Sequence, residues 1–123
     1  MAKQNINDMD IPEIPKDEKI LKSGAMQASS LFYKPYIRHA YKYALTEKGV
    51  WMRSPKVLFY KPKTSYLAYG DLESFAVGSY NSIPCCYFFP KKGKIGSRIF
   101  FDDFDGAVRL FDQFLTRSNP THI

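Results

Sequence analysis

A chain of 123 residues, 45% hydrophobic and 16% aromatic, falls in the range of one domain and carries enough apolar material to fold without metal or disulfide. No apolar run approaches the ~20 residues of a membrane-spanning helix, and Met1 to Asp10 is polar and acidic, unlike a secretory leader, so the sequence reads as cytosolic. The net charge of +6 is uneven: residues 1–30 carry −1, residues 31–100 carry +9 and residues 101–123 carry −2, and a basic centre of this kind favours anionic partners.

Residues 1–29 read as a flexible tail. Ile11-Pro12-Glu13-Ile14-Pro15 cannot be helical, because each proline pushes its predecessor to extended conformations. Gly24 and mixed charges weaken any helix over Lys16 to Ala28. Residues 8–18 hold all five acids of the tail, and their sign suits them to fold back over the basic centre.

A domain is expected over residues 30–117, followed by a C-terminal tail, 118–123. Leu31-Phe32-Tyr33 is a short apolar stretch ended by Lys34-Pro35. Tyr41 to Thr46 alternates, with Tyr41, Tyr43 and Leu45 on one face, and Glu47-Lys48-Gly49 suits a three-residue hairpin turn into Val50 to Arg53. Lys56–Tyr60 and Ser65–Tyr69 read as a second pair around Lys61-Pro62-Lys63-Thr64. Leu72–Tyr80 is extended, with Phe75 and Val77 on one face, and Asn81-Ser82-Ile83-Pro84 is a turn. Cys85–Phe89 and Arg98–Asp102 are the last strands, joined by residues 90–97. The adjacent Cys85 and Cys86 point to opposite faces of a strand and form neither a disulfide nor a chelating site; both read as buried free thiols.

One helix closes the chain. Phe104, Ala107, Val108, Phe111 and Leu115 form a single apolar stripe, reinforced by Phe114. Asp102 or Asp103 caps it, Asp105 sits in its first turn, and Gly106 suits a close approach to the sheet. The fold class is therefore α+β, mainly β: an antiparallel meander or small barrel of six or seven strands closed by one C-terminal amphipathic helix.

Signatures of catalysis are missing. Histidine is confined to His39 and His122, no His/Cys cluster has metal-ligand spacing, and no glycine-rich phosphate loop precedes a helix. Capping accounts for the aspartates before the helix. The expectation is a chain without catalytic residues, metal or cofactor. Positive charge gathers instead on Lys91, Lys92, Lys94 and Arg98 around one connection and on Lys61 and Lys63 around another, a rim for an anion if both open at the same end. Aromatics interleave with bases in Phe32-Tyr33-Lys34-Pro35-Tyr36-Ile37-Arg38 and Phe59-Tyr60-Lys61, a pattern that suits stacking on single-stranded nucleic acid and equally a half-buried strand.

A meander closed by one amphipathic C-terminal helix resembles the pleckstrin-homology-like fold. Tyr43-Ala44-Leu45-Thr46-Glu47-Lys48-Gly49-Val50 and Tyr69-Gly70-Asp71-Leu72-Glu73-Ser74-Phe75 are similar to segments of its bacterial, YcxB-like versions. The resemblance covers residues 31–117 and implies a non-catalytic adaptor contacting a protein or an anionic membrane surface, in the cytoplasm or peripherally at a membrane. No phosphoinositide-binding signature accompanies it. The alternative is a single-stranded nucleic-acid-binding protein resembling the transcription-cofactor and PUR-like families, in which four strands precede a helix; strand count separates the two.

Overall fold

The computed structural model describes residues 11–30, 39–55, 61–91 and 96–117. Among the described residues the strands are β1 (Ile20–Ser30), β2 (His39–Thr46), β3 (Gly49–Arg53), β4 (Thr64–Ala68), β5 (Leu72–Tyr80), β6 (Ile83–Pro90) and β7 (Ser97–Phe101), with a 3-10 turn at Tyr69–Asp71 and a helix, α1 (Phe104–Phe114). All pair antiparallel in the order β4-β3-β2-β1-β7-β6-β5, a sheet curled into a half-barrel with β4 and β5 at its edges. Seven strands and a terminal helix match the sequence expectation, and the fold is pleckstrin-homology-like.

The inner face and α1 enclose one core of Tyr43, Leu45, Val50, Leu72, Phe75, Cys86, Phe88, Ile99 and Phe101. Phe111 is fully buried at its centre, 5.1 Å from Phe88, 5.5 Å from Phe101 and 5.8 Å from Phe75 by ring centroids. Edge-on and tilted rings at these distances interact favourably beyond the area they bury. The cysteines divide as strand alternation requires: Cys86 faces this core, whereas Cys85 joins Ala76, Tyr87 and Phe100 in a second cluster on the other side of the sheet. Both are free and buried.

Helix α1 begins where the sequence places it. The Asp103 side chain accepts from Gly106 N at 3.2 Å and from Lys22 Nζ at 2.6 Å, so cap and ion pair share one carboxylate. Those contacts hold it below the usual carboxyl range, the Lys22 hydrogen bond contributing most. Gly106 serves this cap and a close approach to the sheet: a Cβ there would crowd the Asp103 carboxylate and lie 3.2 Å from Cε of Lys22 in β1. Asp102 ties the helix start to β1, accepting from Ala25 N at 3.0 Å and from the buried Tyr43 hydroxyl at 2.9 Å. A Cβ on Gly24 would collide with that carboxylate, so a side chain there would have to push Asp102 off its contacts with Ala25 and Tyr43. After α1 the chain turns along β5, where Phe75 N donates to Thr116 O at 3.0 Å.

Three boundaries differ from expectation. The tail over 1–29 is corrected most: Ile20–Ser30 is the central strand β1, paired on both sides by β2 and β7. Residues 11–19 form a docked strap, in which Ile11 is 2% exposed and Glu18 is 8% exposed. Small and polar residues hide this strand in the sequence, since tertiary pairing rather than intrinsic β-propensity holds it. Second, β4 spans Thr64–Ala68 and pairs with β3, from Gly49↔Ala68 to Arg53↔Thr64; its expected partner Lys56–Tyr60 lies outside the described residues. Third, the β5–β6 turn contracts to Asn81 and Ser82, because Ile83 and Pro84 already pair with Tyr80 and Ser79. The apolar stretch Leu31–Tyr33 and the expected tail 118–123 lie outside the described residues.

Candidate binding surface

The ladder registers align the open ends of several strands. Ser30 pairs with Ser97, Ala28 with His39, Lys42 with Arg53 and Arg53 with Thr64, so the end of β1, the starts of β2, β4 and β7, and the end of β3 share one side of the sheet. Lys61 and Lys63 approach the start of β4 there, both exposed. A backbone clasp fixes this approach: Ser54 N donates to Lys63 O at 2.9 Å, and Lys63 N donates to Ser54 Oγ at 2.8 Å.

Lys91 is exposed where the chain leaves β6, and its N–H donates to Asp71 O at 3.0 Å, just past the other end of β4. Lys61 and Lys63 are therefore brought together, with Lys91 set apart from them by the length of β4. Lys92 and Lys94 lie outside the described residues. Arg98 is placed within β7 and is only 8% exposed. Its Nε donates to Tyr87 Oη at 3.2 Å, and its guanidinium lies 4.8 Å from the Tyr80 ring centroid and 5.0 Å from that of Tyr87. Two aromatic faces substitute for a carboxylate around this charge. Arg98 Nη1 and the Oγ of its cross-strand partner Ser29 are both buried without a hydrogen bond.

Sequence reasoning missed what holds the acidic strap. Glu13 accepts from Thr64 Oγ1 at 2.8 Å and, through both carboxylate oxygens, from Arg53 Nη1 at 3.0 Å. The Thr64 hydrogen bond first, and Arg53 with it, keeps the Glu13 carboxyl below its ordinary range. Farther along, Glu18 Oε2 accepts from Thr46 Oγ1 at 2.5 Å and from Trp51 Nε1 at 2.9 Å. Trp51, Arg53 and Thr64 belong to the outward-facing rows of β3 and β4, so the strap runs over the outer side of these strands. The opposite signs of tail and centre were the signal for this contact, and the described part of residues 8–18 does lie against the sheet.

The two buried thiols are poorly set for nucleophilic chemistry. Burial pushes the Cys86 thiol up to about 12, with the neighbouring Cys85 adding to it. Cys85 is also raised by burial, although Tyr87 and Arg98 pull it the other way. A thiol held protonated is a poor nucleophile and a poor metal ligand. Among the described residues no three His, Cys, Asp or Glu side chains converge as metal ligands, and no helix is long and apolar enough to cross a membrane.

No family model matches the chain, and no curated protein matches it. Solved structures do. The C-terminal domain of an unknown protein from Leishmania infantum is similar with a TM-score of 0.62 at 10% identity, over 91% of this chain and 97% of that one. The hSac2 domain of the human phosphoinositide phosphatase Sac2 gives 0.58 at 11% identity, over 96% and 88%. A structure of the Vav1 exchange factor concerned with its PH and C1 domains gives 0.54 at 15% identity, over 91% of this chain and 32% of that one. At such identities the likeness defines the class of fold, a pleckstrin-homology-like half-barrel. The nucleic-acid alternative finds no support among them, and its four-strand sheet is not the sheet observed.

Proposed function

We propose that the chain is a non-catalytic binding module whose exposed lysines contact an anionic partner, a protein surface or an anionic membrane surface. One observation carries this reading: five of the ten described acids engage inside the molecule while these lysines do not. Glu13, Glu18, Asp102, Asp103 and Asp112 each accept from an internal donor. The side chains of Lys61, Lys63 and Lys91 make no ion pair or hydrogen bond with any described residue. The positive charge of the centre is therefore directed outward, where it accelerates and orients encounters with anions. The fold supports the reading because a rigid sheet holds its loop ends in place, and the protonated buried thiols supply no chemistry of their own.

The test is co-sedimentation with phosphatidylcholine vesicles, with and without phosphatidylserine, alongside anisotropy with a labelled oligo-glutamate peptide. Binding to at least one anionic probe is expected, with loss of about tenfold or more in affinity for a Lys61→Glu/Lys63→Glu/Lys91→Glu variant. A correctly folded triple variant that binds as the natural chain does, or a natural chain that ignores both probes, would overturn the reading.

A further inference from the structure

The outer face of β1–β3 carries a groove beside the strap. Ala25, Lys42, Arg53 and Thr64 are successive partners across β1, β2, β3 and β4 and form one outward-facing row. Ala25, Lys42 and Arg53 of this row line an open depression of about 470 Å3 together with Ala40, Tyr41, Ser54, Pro55 and Pro62. A second depression of about 320 Å3 shares Ala25, Ala40 and Tyr41 and continues toward Phe100 and Asp102. Alanines at Ala25 and Ala40 keep the floor low, while Pro55 and Pro62 stand beside it.

Arg53 is the chemical feature of this groove. It meets Glu13 and Thr64 through Nη1 alone, leaving its Nε–Nη2 edge without a hydrogen bond to any described residue. That edge presents two parallel donors, the arrangement that grips a carboxylate. The same molecule uses it once already: Arg117 holds Asp112 through Nε at 3.1 Å and Nη2 at 2.5 Å. The strap shows what else this face accepts, since the proline-bearing turn Ile11-Pro12-Glu13-Ile14-Pro15, in which Ile14 N donates to Ile11 O at 3.3 Å, is held to it by a carboxylate on Arg53.

We infer that the groove docks an acidic, proline-bearing segment of a partner protein, whose carboxylate takes the Nε–Nη2 edge of Arg53 while its apolar residues lie over Ala25 and Ala40. The inference rests on the reading of the chain as a binding module and gives that module a second, peptide-specific surface. Lys61 and Lys63, on either side of Pro62, add long-range attraction at the groove's wall.

A labelled, end-blocked peptide with the sequence of residues 11–18 is titrated into the full chain and followed by anisotropy. Saturable binding is expected, weakened about tenfold by Arg53→Gln and as strongly by Ala40→Glu, which fills the floor and repels acid without touching the Glu13–Arg53 contact. The peptide with its three acids replaced by amides should bind at least tenfold more weakly. Because Arg53→Gln also loosens the strap, Ala40→Glu is the deciding variant. Full-strength binding to a folded Ala40→Glu chain means that the peptide merely displaces the strap, and overturns the groove. Equal competition by inorganic phosphate, or phosphatidylserine vesicles binding through Ala40 where the peptide does not bind at all, overturns it too. Should the peptide fail while the Lys61/Lys63/Lys91 variant still loses anionic vesicles, the groove falls and the binding module stands.

Discussion

Cys86 lies on the face of β6 that meets Phe111, and its protonation state is a property of folding. An unfolded thiol ionises near pH 8.5, whereas burial pushes the folded one up to about 12. Between those values the unfolded chain has released a proton that the native chain keeps, so stability falls as pH rises, approaching about 1.4 kcal/mol per pH unit. The Tyr43 phenol, raised by burial and then by Asp102, adds to the loss once unfolded tyrosines ionise. Urea unfolding between about pH 8 and about pH 10 should show a falling midpoint for the natural chain and a flatter one for Cys86→Ala. Parallel profiles would mean that the thiol is not the titrating group. Arg98 shows the limit of reading single residues from sequence. One position past a turn, it belongs by spacing with Lys91, Lys92 and Lys94, yet strand alternation sends it beneath Tyr80 and Tyr87.

The elements divide by how much of their stability is local. Strands β2, β3, β5, β6 and β7 and helix α1 were legible because large apolar residues recur at the period of each structure. Strand β1 was not, since Lys22-Ser23-Gly24-Ala25 owes its place to two neighbouring ladders and to the Asp102 contacts at Ala25. The strap was half legible: its charge pointed to the basic sheet, but nothing local named Arg53, Thr64 or Trp51 as its partners. Turn chemistry is local and makes a prediction of its own. Asn81 and Ser82 have φ of 51° and 68°, the positive values of a two-residue hairpin loop. Asparagine tolerates that region and serine does not, at a cost of roughly 1 kcal/mol. Ser82→Gly should therefore raise stability by about 0.5–1 kcal/mol, read as a higher urea midpoint with an unchanged slope. A lower midpoint would show that the serine side chain contributes contacts outweighing its backbone strain.

At the scale of the whole molecule, the half-barrel separates its charges by function. Carboxylates secure the joints: Asp102 between β1 and the helix start, Asp103 at the helix cap, Glu13 and Glu18 along the strap, and Asp112 at the chain's turn back to β5. Lysines at the ends of β4 and β6 take no part in that bracing and stay exposed. The sequence supplied the surplus of positive charge and its concentration in the centre. It did not supply the bracing, because residues such as Glu18 and Trp51, or Tyr43 and Asp102, are brought together only by the sheet. The most direct measurement is an amide chemical-shift map of the 15N-labelled chain titrated with a soluble short-chain phosphatidylserine and, separately, with oligo-glutamate. The account predicts that the largest shifts for at least one probe gather at Lys61, Lys63 and Lys91 and fade as salt rises. Shifts gathered on α1 or the Asn81–Ser82 turn, with the lysines unmoved, would contradict it.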